Sequence, residues 1–275
     1  MDWSFTLHTG VIIILMAFVA EYFDSTLGMG YGTSLTPVLL IMGYEPMQIV
    51  PCVLLSELFT GLAASIVHDK MGNVQLFPKN LENIKVSRLG FFANIRSYIP
   101  IHLKISLLIG SCSIIGTVVA VLIAVSIPKL YVKLYIGVLI SLMGVLILVT
   151  SRMNFKFSWF KITGLSILAS FNKGISGGGY GPVVTSGQLL SGINGKNAIG
   201  ITSLAESLTC LVGLIVYFFV GNEMDWRLAP FLLIGGLLSV PLSGISVKKM
   251  NTNFLRTIIG VVTLLLGGLT LYKVL

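Results

Sequence analysis

The chain has 275 residues, of which 55% are hydrophobic and only 10% are charged, with a formal net charge of +8. An ordinary soluble domain has about 25% charged residues, and a chain of this length buries only about 75% of its surface in a water-facing fold. This composition excludes a soluble enzyme, a disordered chain and a nucleic-acid-binding protein. It predicts an all-α protein that crosses the lipid bilayer several times.

The first predicted helix, residues 7–27, ends at the glycine cluster 28–32, and a shorter apolar piece follows at 33–43. Farther along the chain, uninterrupted apolar runs are long enough to cross the bilayer, which takes about 20 residues. These runs cover residues 47–67, 104–127, 133–150, 196–220, 228–247 and 254–273. Each of them predicts one membrane-spanning helix.

A second interruption lies between the third and the fourth of these runs. An apolar run at 160–175 is followed by the glycine cluster 177–181 and by a short apolar piece at 182–192. Glycine is a poor helix former, and irregular backbone is not tolerated against lipid. We therefore expect both glycine clusters to be buried in protein or to line a cavity.

The two interruptions belong to an internal repeat. A shift of 149 residues aligns 28–62 with 177–211 without a gap and with 11 identities, including most of the two glycine clusters. Glu57 aligns with Glu206, and a glutamate inside a membrane span is rare. The chain is therefore predicted to contain two copies of one unit.

The first copy covers residues 1–150 and carries an insertion at about 75–98, the second covers 151–275, and together they form one membrane domain. Lys and Arg are concentrated in three loops, at 69–104, 151–161 and 248–256. The positive-inside rule places these loops on the cytoplasmic side. Loop 221–227 and both termini are then predicted to lie outside. Because loops 69–104 and 221–227 are repeat partners, the two copies have inverted topology.

Two threadings of the interruptions are open. The short piece after each glycine cluster either folds back as a re-entrant hairpin or continues across the membrane as the second half of a broken span. The hairpin places Glu45 outside and Lys196 inside, which agrees with the charge rule and favours this threading.

The glycine clusters are candidate anion-binding elements. Glycine lets backbone N–H groups approach a ligand, and the start of the following helix adds free N–H groups and a positive dipole end. The alternative is that the glycines only permit close helix packing. The candidate substrate-binding residues are Gly28, Gly30, Tyr31, Gly32, Thr33, Ser34, Asn172, Lys173, Ser176, Gly177, Gly178, Gly179, Tyr180 and Gly181.

Charged residues inside the predicted spans are candidates for coupling or gating. Lys173 lies four residues before the second glycine cluster, and its repeat partner is Asp24. Lys173 either serves the substrate, pairs structurally with Asp24, or reaches the membrane surface. Glu57 and Glu206 lie near the middles of their spans, where a neutral carboxyl group can exchange a proton. The alternative role for each glutamate is a hydrogen bond to unwound backbone.

No metal site, cofactor or enzymatic activity is predicted. The three histidines, His8, His68 and His102, have no metal-binding spacing. The three cysteines lie within apolar runs and suggest no disulfide framework. No pairing of a nucleophile with a base is visible in the sequence.

The glycine motifs resemble those of the TauE/SafE family of sulfite and organosulfonate exporters. The segments that carry the likeness are Gly28-Met29-Gly30-Tyr31-Gly32 with Pro37, Gly177-Gly178-Gly179-Tyr180-Gly181, and 198–203. The likeness covers nearly the whole chain. Tyr31 and Tyr180 stand where the family more often has glycine. The resemblance implies transport of small sulfur-containing or carboxylate anions across the cytoplasmic membrane.

The expected function is that of a secondary transporter that exports a small anion, bound between the two glycine clusters near the midplane. An anion channel and a membrane assembly factor without transport are the alternatives. The expected partners are the anionic substrate, the lipid bilayer, and protons or sodium as coupling ion; a homodimer is a further option, and no nucleic acid is expected. The protein is expected to be a multi-pass protein of the cytoplasmic membrane with both termini outside.

Overall fold

A computed structural model describes residues 7–78, 99–150, 159–190, 193, 195–220, 224–247, 249 and 252–274. Within these ranges the chain forms ten α-helices and no strand, which confirms the predicted all-α class. The helices are α1 (Leu7–Leu27), α2 (Tyr31–Ile41), α3 (Pro46–Lys70), α4 (Ile101–Ser126), α5 (Lys129–Thr150), α6 (Trp159–Ser176), α7 (Tyr180–Leu190), α8 (Gly195–Val220), α9 (Ala229–Ser246) and α10 (Thr252–Val274). Most of the predicted insertion at 75–98 lies outside the described residues.

Every apolar run predicted from the sequence forms one of these helices. Five of them, α1, α3, α4, α8 and α9, are long and apolar enough to cross a membrane, judged by the length and composition of the described residues. Prolines mark some of the starts: Pro46 opens α3 and Pro100 precedes α4. Proline suits the first turn because its missing N–H would have no partner there.

The helices pack in combinations that recur between the two halves. Helix α9 packs against α1 and α3. In the same way, helix α4 packs against α6 and α8. Helices α3 and α8 also pack on each other, as do α5 and α10. These matching helix contacts agree with a chain made of two copies of one unit. The inverted orientation of the copies across the membrane stays a prediction.

Close approach between these helices depends on small residues. A Cβ on Gly235 of α9 would collide with the Ile14 carbonyl oxygen of α1, and a Cβ on Gly116 of α4 would collide with the Ile167 carbonyl oxygen of α6. Lipid supplies no hydrophobic force between helices, so close van der Waals contact of this kind holds them together.

Each short helix folds back beside the helix that precedes it. A Cβ on Gly30, beyond the end of α1, would be 3.6 Å from Phe23 Cβ and 3.8 Å from the Ala20 carbonyl oxygen. In the second half, a Cβ on Gly179 would be 3.3 Å from Asn172 Cβ. The chain therefore reverses direction at both interruptions. The pairs α1–α2 and α6–α7 pack as hairpins, which agrees with the threading that the loop charges favoured, and their placement across the membrane stays a prediction.

Candidate substrate site at the two glycine breaks

Each glycine cluster reverses the chain through glycines with positive φ. The φ angles are 69° at Gly28 and 140° at Gly30 in the first break, and 71° at Gly177 and 77° at Gly179 in the second. Residues with a Cβ rarely adopt this conformation, whereas glycine adopts it readily. The first glycine of each pair still donates its N–H to the carbonyl group four residues earlier, so each long helix ends at an equivalent position of its repeat.

The two breaks lie against each other, backbone to backbone. A Cβ on Gly32 would collide with the Gly177 carbonyl oxygen, and a Cβ on Gly181 would collide with the Gly28 carbonyl oxygen. These two contacts join positions related by the 149-residue shift, so each half makes the same contact with the other. A Cβ on Gly178 would lie 2.7 Å from the Thr33 backbone nitrogen, just after the first break. Close packing, the alternative considered for the glycines, thus accounts for Gly32, Gly178 and Gly181, and substrate contact at these positions stays a prediction.

Lys173 lies in the last turn of α6 and contacts two glutamates from the long helices α3 and α8. Its Nζ donates a hydrogen bond to Glu206 Oε1 at 2.6 Å and forms an ion pair with Glu57 Oε2. Lys173, Glu57 and Glu206 are 1%, 2% and 4% exposed, and we call them the triad. The structure therefore brings together three of the charged residues predicted from the sequence. A buried charge is tolerated when it is paired. The positive charge of Lys173 and the negative charges of the two glutamates therefore allow each other to be buried.

Asp24 is not a direct partner of Lys173. Its Oδ1 accepts the backbone N–H of Tyr31, the first residue of α2, at 3.2 Å. In the described part of the chain, the carboxylates within ion-pair distance of Lys173 are those of Glu57 and Glu206. The suggested Lys173–Asp24 pair is therefore not formed, because a carboxylate is well placed at a helix N-terminus and two other glutamates hold the ammonium group. Burial of Lys173 also excludes an extended position at the membrane surface.

The predicted residues Ser176 and Thr33 bond to the backbone of the breaks, whereas the Asn172 side chain accepts a hydrogen bond from the Tyr135 hydroxyl of α5 at 2.7 Å. Ser176 Oγ donates to the Asn172 carbonyl oxygen at 2.6 Å and accepts the Gly178 N–H at 3.1 Å. Thr33 Oγ1 donates to the carbonyl oxygen of Gly30 at 3.1 Å. The Ser176 hydroxyl satisfies the Gly178 N–H, which lies beyond the end of α6, whereas Thr33 adds a second bond to the Gly30 carbonyl oxygen, which also accepts the Ser34 N–H.

Ser34 has a different surrounding from the other candidates. It lines a mostly apolar cavity of about 360 Å³ between α1, α2 and α10. A polar solute has few hydrogen-bond partners there, so the cavity does not extend the triad's polar site.

Tyr31 and Tyr180, which occupy equivalent repeat positions, are fully buried. The Tyr31 hydroxyl lies 2.7 Å from Ser56 Oγ and donates to the Leu232 carbonyl oxygen at 3.3 Å. The Tyr180 hydroxyl accepts a hydrogen bond from Thr209 Oγ1 at 3.4 Å. Each tyrosine therefore attaches the start of a short helix to a neighbouring long helix.

A fourth buried carboxyl group, Glu21 on α1, was not identified from the sequence. Its oxygens accept hydrogen bonds from the hydroxyl groups of Ser25 at 2.6 Å and Thr60 at 2.9 Å. The signal was present, because Glu21 lies inside the predicted span 7–27, where an ionisable residue is a functional candidate by default. Its repeat partner is Ser170, so the comparison of the halves did not select it.

Three buried polar atoms near the breaks have no hydrogen-bond partner among the described residues: Thr36 Oγ1, Glu57 Oε1 and Gln188 Oε1. The Gln188 amide donates to Thr202 Oγ1, which bonds Thr185 Oγ1. Thr185 Oγ1 in turn donates to the Gly28 carbonyl oxygen of the first break at 2.8 Å. Leaving such an atom unsatisfied costs about 1–3 kcal/mol. A polar solute or a water molecule that formed hydrogen bonds with these atoms would remove that cost.

The site is closed in this structure. Both breaks and the triad are buried, so a solute from either side of the membrane reaches them only after helices separate.

Across the described ranges, no group of three or more His, Cys, Asp and Glu side chains is arranged to hold a metal ion.

A model of the family described as Sulfite exporter TauE/SafE matches residues 84–270, which is more than half of the chain. The chain belongs to the TauE/SafE family. The matched part contains the second break, and the family membership confirms the resemblance seen in the glycine motifs. The protein is thus an integral membrane protein of a transporter family.

One relative within this group is the Probable membrane transporter protein YtnM of Bacillus subtilis (strain 168). It is 24% identical to the TauE/SafE protein described here, over an alignment of 275 residues that covers 95% of this chain and 82% of the relative. No solved structure matches the chain significantly.

Proposed function

We propose that this TauE/SafE protein is a secondary transporter that exports a small anion, such as sulfite, an organosulfonate or a related carboxylate. The observation that carries the proposal is the buried ammonium group of Lys173, one turn before a glycine break that packs against a second glycine break. An ionisable residue inside a membrane protein is costly and marks a solute pathway by default. The family description and the YtnM name support the same class of function.

Of the two helix starts that follow the glycine breaks, the start of α7 is more favourable for an anion than the start of α2. At the start of α2, the Asp24 carboxylate already accepts the Tyr31 N–H, and its charge disfavours a second anion there. The repeat partner of Asp24 is Lys173, so the second half has a cation in the last turn of α6, four residues before the break that leads into α7. Positive charge and N–H groups of this kind recognise carboxylates, sulfites and sulfonates.

Export agrees with the energetics of an anion in a cell. A negative-inside potential favours outward movement by roughly 2.3 kcal/mol per charge per 100 mV. Uptake of the same anion would need coupling to protons or sodium. The proposal also includes coupling to protons or sodium, a homodimeric state, a location in the cytoplasmic membrane and the absence of enzymatic activity.

Exchange in proteoliposomes tests the proposal. We expect vesicles that contain the protein and unlabelled sulfoacetate to take up labelled sulfoacetate with saturation, and sulfite or small carboxylates to compete. Lys173→Met should lower the exchange rate at least about tenfold, the effect of losing roughly 1.4 kcal/mol of binding. Lys133→Met is the matched control, because Lys133 pairs with Glu45 outside the breaks and is partly exposed.

Two results would contradict the proposal. Absence of exchange for every anion tested would rule out an anion transporter of this class. Flux that does not saturate and continues without a counter-substrate would favour the anion channel considered from the sequence.

A further inference from the structure

The buried part of the protein contains more acidic than basic groups. Among the described residues that are buried, the carboxyl groups are those of Glu21, Asp24, Glu57 and Glu206, whereas Lys173 supplies the one ammonium group. If all ionised, these groups would carry an excess of negative charge before any substrate arrived. An added anion would raise the electrostatic energy further, because charges interact strongly where water is excluded.

The ammonium group is also already occupied. Lys173 Nζ donates to Glu206 Oε1 at 2.6 Å and contacts Glu57 Oε2 on its other side. An ammonium group has three N–H donors, and the two glutamates take two of them, so a bound anion has only the third unless a glutamate gives up its place. The two glutamates are therefore competitors of the substrate as well as partners of Lys173.

We infer that the anion binds together with a proton, which Glu57 or Glu206 takes up as it gives up Lys173 to the substrate. The inference deepens the proposed function and depends on it. An ionised carboxylate that merely moved away would be buried without a partner, at high cost. Glu57 Oε1 already has no hydrogen-bond partner, so this carboxyl has a free oxygen to hold the proton. The neutral carboxyl can then remain in place beside the anion as a hydrogen-bond donor.

Other titratable groups face the triad and must be separated from it by experiment. Cys210 Sγ lies 3.8 Å from Glu57 Oε2. Asp24 interacts electrostatically with Lys173 and Glu206. The remaining titratable groups that interact with members of the triad are Glu21 of α1, Tyr31 of α2 and Tyr180 of α7. Asp24 and Glu21 are the alternative proton acceptors, since each is a buried carboxyl group.

The proton also changes the charge that export moves. One proton cancels one negative charge, so a doubly charged anion would leave the cell with one net negative charge and still gain from the potential. A singly charged anion would move without net charge, and its export would depend on its concentration gradient and on the proton gradient.

Titration calorimetry of the purified full-length protein tests the inference. The probe is sulfoacetate, whose acidic groups stay ionised in neutral solution, and each titration is repeated in two buffers with different ionisation enthalpies. We expect about one proton taken up per anion bound, and a Kd that rises about tenfold per unit of increasing pH. The same values should be obtained with sodium or with choline as the buffer cation.

Variants of the triad give the second readout. Glu206→Gln and Glu57→Gln replace a titrating competitor by a neutral amide, and in at least one of them proton uptake should fall below half of the wild-type value. That variant should also bind sulfoacetate more tightly at high pH than the wild type does. Glu45→Gln is the matched control, because Glu45 pairs with Lys133 away from the breaks, and it should leave the proton count unchanged.

The outcomes separate the inference from the proposed function. Saturable binding without proton uptake, or binding that requires sodium instead, would overturn the inference and leave the transporter proposal standing. Proton uptake that disappears in Asp24→Asn or Glu21→Gln, but persists in both triad variants, would also overturn it. Absence of binding for sulfoacetate, sulfite and sulfate at every pH would overturn the proposed function, and the inference with it.

Discussion

Lys173 joins the two halves of the chain, because its partners Glu57 and Glu206 come from equivalent helices of different repeats. Lys173→Met would leave both carboxyl groups buried without their cation, which typically costs about 3–5 kcal/mol. We expect a clear fall in the melting temperature of the purified protein. Lys133→Met should have a far smaller effect, since pairs that reach solvent contribute about 0–1 kcal/mol.

Second substitutions identify the partners of Lys173. Adding Glu57→Gln and Glu206→Gln to Lys173→Met should recover most of the lost stability, because no carboxyl group of the triad is then left unpaired. Adding Asp24→Leu instead should not, because Asp24 stabilises the start of α2. If the double variant Lys173→Met with Asp24→Leu recovered the lost stability, Lys173 and Asp24 would be the structural pair.

Gly32 has no room for a side chain. A Cβ there would collide with the Gly177 carbonyl oxygen, which belongs to the backbone of the other break and cannot rotate away. We expect Gly32→Ala to separate the breaks, with a loss of several kcal/mol on the scale of other severe packing defects. Thermal unfolding measures the loss. The control is Gly164→Ala in α6, where nothing lies within 4 Å of the new Cβ, and it should be neutral or slightly stabilising.

At the scale of the elements, each hairpin is attached to the long helix of its own repeat by an equivalent bond. The His68 ring nitrogen Nε2 donates to the Ser25 carbonyl oxygen at 2.8 Å, and the Tyr217 hydroxyl donates to the Gly174 carbonyl oxygen at 2.8 Å. The two donors occupy matching repeat positions, as do the two acceptors. The two halves thus build the same contact with different side chains, a histidine in one and a tyrosine in the other.

Removal of one of these bonds should loosen its hairpin. Tyr217→Phe leaves the Gly174 carbonyl oxygen without its partner, and we expect the free energy of unfolding to fall by about 1–3 kcal/mol. Tyr131→Phe is the control, since the Tyr131 ring is 59% exposed. Equal melting temperatures for Tyr217→Phe and the wild type would show that the bond has no net effect on stability.

For the whole molecule, the membrane orientation is the main prediction to test. We expect a membrane-impermeant maleimide to label Asn222→Cys in intact cells and to leave Lys85→Cys unlabelled, because the positive-inside rule places the latter in the cytoplasm. Both positions lie outside the described residues. The partly buried Cys112 is replaced beforehand. Equal labelling of the two positions from outside would contradict the inverted topology.

The type and approximate bounds of the ten helices in the described ranges followed from the sequence alone. Hydrocarbon thickness sets the length of an apolar run, and no water is present to satisfy a backbone that is not helical. These two constraints act on each segment separately, so the ten helices could be assigned without knowledge of their neighbours. The glycine breaks and the repeat were likewise visible, because they are properties of the chain order.

The partners of the charged residues were decided only by the tertiary structure. The sequence placed Asp24, Glu57, Lys173 and Glu206 inside spans, but the repeat alignment suggested Asp24 as the partner of Lys173. The pairing with Glu57 and Glu206 depends on the positions of α3 and α8 beside α6, and helix packing of this kind is set by van der Waals contact between distant segments. The sequence predicted that the two breaks come together around the substrate, but only the packing showed that they touch backbone to backbone.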